Sequence, residues 1–106
     1  MHKVLLVDDE YMITEGLKVL IPFEKWNMEV VATANDAEEA LDYVKSHPVD
    51  LVITDVNMPG MNGLEMIAQM KESLPKLAFI ILSGYQEFEY VKKALNLQVA
   101  DYLVKP

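Results

Sequence analysis

The sequence predicts an α/β fold in which a parallel sheet is covered by helices on both faces. Five short runs are apolar throughout rather than alternating: residues 4–7, 30–32, 51–53, 79–82 and, more weakly, 102–104. Unbroken apolar runs are typical of strands that are buried on both faces, as in parallel sheets. Segments with helical spacing lie between these runs, and right-handed crossovers turn such an order into a doubly wound sheet.

Each segment between the runs has the apolar spacing of an amphipathic helix. Apolar residues recur at i, i+3, i+4 and i+7 in the first two segments, as Ile13, Gly16, Leu17 and Leu20 and as Ala37, Ala40, Leu41 and Val44. A third helix is predicted from Leu64 and must end before Pro75, and a fourth starts near Phe88.

Local signals predict where two helices begin. Asp36 stands three residues before Glu39, and Asn62 stands three residues before Glu65, as in capping boxes. The connection after the first helix is longer, and we expect a turn in which Trp26 packs on the body of the domain.

The composition limits the functions that the chain can have. Its 106 residues include 9 Lys+Arg and 17 Asp+Glu, for a formal net charge of −8. This charge argues against direct binding to nucleic acid and favours cations as partners. The absence of cysteine excludes disulfides and thiolate chemistry and fits a cytoplasmic location. No apolar run approaches the roughly 20 residues of a membrane-spanning helix, so no membrane association is expected.

The candidate site lies beyond the carboxyl ends of the strands, where open α/β sheets bind ligands. The residues that end or follow the apolar runs there are Asp8, Asp9, Thr54, Asp55, Ser83 and Lys105. Three carboxylates, the hydroxyl group of Ser83 and the ammonium group of Lys105 should therefore share one end of the sheet.

Carboxylates gathered in this way favour a metal ion. Two unit charges about 4 Å apart repel by roughly 4 kcal/mol at an effective dielectric near 20. The available ligands are oxygens, without thiolate or adjacent histidine, which suits Mg²⁺. A carboxylate beside such an ion can attack phosphorus and form an aspartyl phosphate.

Four blocks of sequence resemble the CheY-like receiver domain of response regulators: residues 6–10 (LVDDE), 52–63 (VITDVNMPGMNG), 81–84 (ILSG) and 101–106 (DYLVKP). The resemblance covers residues 1–106 as a single domain. It implies a flavodoxin-like, five-stranded parallel sheet in the order 2-1-3-4-5. The segment 83–90 is similar to receivers attached to AraC-type DNA-binding output domains.

The resemblance implies a phosphoacceptor and a Mg²⁺ site. Asp55 would be the phosphoacceptor. Asp9 would bind Mg²⁺ directly, Asp8 would bind it through water, and Asp55 and the backbone carbonyl of Asn57 would complete the site. A sensor histidine kinase would donate the phosphoryl group, and the domain would not be an enzyme in its own right.

The resemblance also implies a switch. Ser83, Tyr102 and Lys105 would contact the phosphoryl group or respond to it, and would change the surface around the fourth helix and fifth strand. Asn57 and Tyr85 would tune the lifetime of the phosphoryl group.

One departure from the family pattern concerns the last helix. Receivers continue after the Lys-Pro pair into a fifth helix beside the first, whereas this chain stops at Pro106. We therefore expect that helix to be absent, leaving apolar surface through which the chain could associate with itself. A DNA-binding output domain would belong to the full-length protein.

Alternative interpretations stay open from the residues alone. Asp8 and Asp9 could be N-caps, and Tyr102 could simply fill space. A phosphatase of the haloacid dehalogenase type would also form an aspartyl phosphate, although Asn57 occupies the place of its second acid. A receiver-like scaffold that is never phosphorylated is the third alternative.

Overall fold

Five parallel strands form one sheet in the order β2-β1-β3-β4-β5. The computed structural model describes residues 1–83 and 101–104, with side chains through residue 82. The strands are β1 (His2–Val7), β2 (Met28–Ala34), β3 (Leu51–Asp55), β4 (Ala78–Ser83) and β5 (Asp101–Val104). The helices are α1 (Tyr11–Leu20), α2 (Ala37–Ser46) and α3 (Gly63–Ser73), with a 3₁₀ helix at Phe23–Trp26. The predicted topology is confirmed, and the predicted fourth helix lies outside the described residues.

The central strands are buried on both faces. Leu5 and Val52 pack with the apolar residues of α2 and α3 on one face. Val4, Leu6 and Ile53 face the opposite side, where the apolar residues of α1 cover them. Since successive strand residues point to opposite faces, a strand covered on both sides must be apolar at every position, which is why the runs do not alternate.

Two helices begin at the predicted caps. The Asp36 side chain accepts a hydrogen bond of 2.8 Å from the Glu39 backbone N–H, and Asn62 accepts one of 2.9 Å from the Glu65 backbone N–H. These bonds satisfy amide groups that the first turn of a helix leaves without an acceptor. The third helix ends before Pro75, as predicted. Within residues 1–83 and 101–104, no helix has the length and apolarity needed to cross a membrane.

The buried face of α1 differs from the predicted one. Ile13 and Leu17 pack against the sheet, and the same line continues to Ile21 just beyond the helix. Leu20, which the spacing placed on the buried face, is 75% exposed. At 3.6 residues per turn, Gly16 and Leu20 lie on the flank of this line rather than on it.

Apolar side chains are exposed on the outer part of α1. Met12, Val19 and Leu20 are all largely accessible to solvent. An apolar surface of this kind was expected beside the first helix, and self-association through it stays a prediction.

The turn after α1 packs through a different aromatic residue from the predicted one. Trp26 is 58% exposed, whereas Phe23 is buried and joins the apolar cluster beneath α1. Trp26 ends the 3₁₀ helix directly before Asn27, whose φ of 57° reverses the chain into β2. Because Phe23 already covers the sheet at this point, the expectation that Trp26 packs on the body is wrong.

Candidate functional site

The register of β1 and β3 brings two aspartates to the same level of the sheet. Val7 of β1 lies opposite Thr54 of β3. Asp8 and Asp55 are the next residues, so they follow on neighbouring strands that run about 4.8 Å apart. Strand alternation assigns both to the face on which Leu6 and Ile53 lie.

Both aspartates are buried. Asp8 is 1% exposed and Asp55 is 2% exposed. The backbone N–H of Glu10 donates a hydrogen bond of 2.9 Å to Oδ1 of Asp8. Burying a carboxylate is costly unless donors or positive charge stabilise it. Two such carboxylates at one level of a sheet therefore form an arrangement that a cation would stabilise.

The acidic group extends from the buried interior to the surface. Carboxylate oxygens of Asp8, Asp9 and Glu10 lie within 4.8 Å of one another, and the last two residues are exposed. A donor set made only of oxygens fits a hard cation such as Mg²⁺. Glu10 was not among the residues singled out from the sequence, although its position directly after Asp8 and Asp9 was the available signal.

N-capping does not account for the two aspartates. The N-cap residue of α1 is Glu10, and its side chain makes no capping hydrogen bond. Asp8 lies two residues before that position and accepts a hydrogen bond from the backbone N–H of Glu10, the N-cap residue itself. The capping interpretation is therefore not supported by the geometry.

The loop between β3 and α3 shapes the other side of the site. Asp55 is the last residue of β3, and Asn57 follows at the exposed surface. Gly60 has a φ of 80°, a conformation that glycine adopts without strain. The Gly63 N–H then donates a hydrogen bond of 2.9 Å to the Val56 carbonyl, which closes the loop directly beside Asp55.

Two further residues contact the backbone of Asp55: Thr54, which the sequence placed at this strand end without a role, and Gly63, to which it gave no role. Thr54 Oγ1 donates a hydrogen bond of 2.9 Å to the Asp55 carbonyl. Gly63 approaches the same carbonyl so closely that a side chain at this position would overlap its oxygen. A hydroxyl side chain directly before Asp55, and a glycine at a helix start, were the signals for these two roles.

The backbone register also locates two of the predicted switch residues. Ser83 ends β4, one residue beyond the partner of Asp55. Tyr102 lies in β5, in the same row of the sheet as Thr54. Both positions are thus near the carboxyl end of the sheet, at the level of the aspartates. The side chains of Ser83 and Tyr102 are not described, and Lys105 and Tyr85 lie outside the described residues.

Curated proteins that are similar to the whole chain include two named as transcriptional regulatory proteins. The chain is 42% identical over 106 residues to YesN of Bacillus subtilis, of which it covers 29%. It is also 42% identical over 106 residues to HptR of Staphylococcus aureus, of which it covers 41%. The chain therefore spans less than half the length of these relatives.

A solved structure shares both the fold and much of the sequence. The REC domain of AraT, a response regulator from Geobacillus stearothermophilus, superposes with a TM-score of 0.92 at 47% identity. The match covers 99% of this chain and 81% of that one. The family described as the response regulator receiver domain matches residues 4–106. The chain therefore belongs to the response regulator receiver domain family, the receiver part of two-component response regulators.

Proposed function

We propose that this receiver is a phosphorylation switch in which Asp55 accepts a phosphoryl group from a sensor histidine kinase in the cytoplasm. The observation that carries the proposal is the buried carboxylate of Asp55 at the end of β3, level with the buried carboxylate of Asp8 on the neighbouring strand. A nucleophile held among other carboxylates requires a cation to lower the local negative charge before an anionic donor can approach.

Mg²⁺ is the cation that the donor set fits. Asp8, Asp9 and Asp55 would hold it together with the backbone carbonyl of Asn57. Glu10 lies close enough to the first two to add negative charge at the mouth of the site. When bound, the ion would polarise phosphoryl oxygens and offset the charge that develops on them.

The chemistry assigned to Asp55 is nucleophilic attack on phosphorus. A carboxylate oxygen forms the new phosphorus–oxygen bond, the phosphorus–nitrogen bond of the donor phosphohistidine breaks, and its electron pair stays on the leaving imidazole nitrogen. Lys105, assigned by the family resemblance, would pair with the transferred group. We propose no turnover beyond self-phosphorylation and self-dephosphorylation. We therefore do not propose that the chain is an enzyme.

We propose that phosphorylation signals by shifting the domain between two conformations rather than by forming a new fold. Ser83 and Tyr102 would respond to the phosphoryl group and bias the surface around the fourth helix and β5. Tyr85 and Asn57 would tune how long the group survives. Since YesN and HptR are named as transcriptional regulatory proteins, we propose that the full-length protein carries a DNA-binding output domain.

Replacing Asp55 with asparagine is expected to abolish phosphorylation. The parent chain, treated with acetyl phosphate and Mg²⁺, should gain the mass of one phosphoryl group, and Asp55→Asn should gain none because an amide is a poor nucleophile. Intact-mass spectrometry measures this directly. Asp42→Asn is the matched control, because Asp42 is an exposed carboxylate on α2 and should label like the parent.

The same experiment separates the proposal from its alternatives. Equal labelling of the parent and of Asp55→Asn would contradict the assignment. A parent chain that takes up no phosphoryl group and binds no Mg²⁺ would favour the scaffold interpretation. Repeated turnover of a small phosphoester would favour the phosphatase.

A further inference from the structure

The carbonyl group of Asp55 is held from two directions. Thr54, which is fully buried, donates the hydrogen bond from its hydroxyl group to the carbonyl oxygen at 2.9 Å. On the other side lies Gly63, the first residue of α3. A methyl group added there would overlap the same oxygen, and would lie 3.1 Å from the Asp55 carbonyl carbon and 3.2 Å from the Val56 Cα. The start of α3 therefore rests directly on the peptide that follows Asp55.

Two backbone contacts complete this arrangement. The Gly63 N–H donates to the carbonyl of Val56 at 2.9 Å. On the strand side, Asp55 is paired with Leu82 of β4. The peptide after Asp55 is thus fixed by the sheet, by the start of α3 and by one buried hydroxyl group. Fixing this peptide fixes the direction in which the Cα–Cβ bond of Asp55 points.

We propose that Thr54 and Gly63 are positioning residues that fix the direction of the Asp55 carboxylate. This inference rests on the proposed function of Asp55 as phosphoacceptor. Thr54 is adjacent to Asp55 in β3, so strand alternation puts its side chain on the opposite face of the sheet. Its hydroxyl group therefore acts on the reaction through the backbone.

The direction of the Asp55 carboxylate matters because attack on phosphorus requires the nucleophile to be aligned with the leaving group. Displacing a reacting group by about 1 Å can cost about 100-fold in rate. A loosened peptide at Asp55 should lower the rate of the chemical step. It should leave the binding of the phosphoryl donor unchanged, because the Thr54 side chain is fully buried and lies on the opposite face of the sheet from the Asp55 carboxylate.

The test compares Thr54→Val with Thr54→Ser. Valine keeps the shape of threonine but lacks the hydroxyl group, whereas serine keeps the hydroxyl group and lacks the methyl group. Labelling rates are measured against acetyl phosphate concentration at saturating Mg²⁺. We expect Thr54→Val to lower the maximal rate by about 10-fold or more, with the half-saturating donor concentration unchanged. Thr54→Ser should recover most of the parent rate.

Two results would overturn the inference. One is Thr54→Val labelling at the parent rate, which would show that the hydrogen bond is not needed. The other is Thr54→Ser labelling as slowly as Thr54→Val, which would assign the effect to packing of the methyl group. If Thr54→Val does not fold, Thr54→Cys replaces it. A thiol is a weak donor, so the expected order of rates is parent, then Thr54→Ser, then Thr54→Cys.

Failure of the proposed function would look different. If the parent chain is never labelled, the phosphoacceptor role is refuted. Whether Thr54 fixes the peptide after Asp55 is then measured by hydrogen exchange of the Gly63 amide. Faster exchange in Thr54→Val than in Thr54→Ser would support the positioning role, because that amide is bonded to the carbonyl of Val56, the residue directly after Asp55. Equal exchange in the two variants would overturn it.

Discussion

Replacing Gly63 with alanine is expected to lower the free energy of unfolding by about 1–3 kcal/mol, the range for forcing an extra carbon into a packed site. The added methyl group would overlap the carbonyl oxygen of Asp55. Its neighbours are backbone atoms of Asp55 and Val56, which cannot turn away as a flexible side chain could. Relief would require α3 to move away from the strand. Urea denaturation of the chain measures the loss.

Gly16 supplies the matched control for this substitution. It lies within α1, and a Cβ built there meets nothing within 4 Å. Alanine is preferred over glycine inside a helix by about 0.5–1 kcal/mol. Gly16→Ala should therefore stabilise the chain while Gly63→Ala destabilises it. Equal shifts of the same sign in both variants would contradict the close approach of α3 to Asp55.

Adding Mg²⁺ is expected to raise the free energy of unfolding of the parent chain. A ligand that binds only the folded state adds about 2.7 kcal/mol at a concentration 100-fold above its Kd. Asp9→Asn should lose most of this gain, because Asp9 is a proposed ligand. Without Mg²⁺ this variant should be at least as stable as the parent, since one of the crowded carboxylates has been removed. Denaturation with and without Mg²⁺ gives both values.

Exposure makes Asp9 the informative position for this test. Its side chain is at the surface, so its replacement leaves the core intact. Glu72→Gln is the control, because Glu72 is an exposed carboxylate at the far end of α3. The control should keep the full response to Mg²⁺. An identical response of the two variants would show that Mg²⁺ acts on the general negative charge of the chain and not at this site.

The sheet could be predicted because burial on both faces leaves a direct record in the sequence. The run at residues 51–53 is apolar at every position since its neighbours cover it from both sides. The site followed from the same reasoning. Once the strand ends were located, Asp8 and Asp55 had to meet at one edge, and the register of β1 and β3 brings them to the same level.

Other features depend on packing that no local pattern records. Periodicity defines a helical stripe only to within part of a turn, so Leu20 was assigned to the buried face although Ile21 continues the buried line. Trp26 and Phe23 are both aromatic residues of the same turn. Only the geometry of the turn decides which of them covers the sheet. The contacts of Thr54 with a strand carbonyl depend likewise on how the assembled backbone is arranged.

Reductive trapping of the phosphorylated chain shows which side chain carries the phosphoryl group. Borohydride converts an aspartyl phosphate into homoserine, and peptide mapping by tandem mass spectrometry then locates the modified residue. We expect one modified position, Asp55, in a reaction that requires Mg²⁺. Modification at Asp8 or Asp9 instead, or a phosphoryl group carried by His2 or His47, would contradict it.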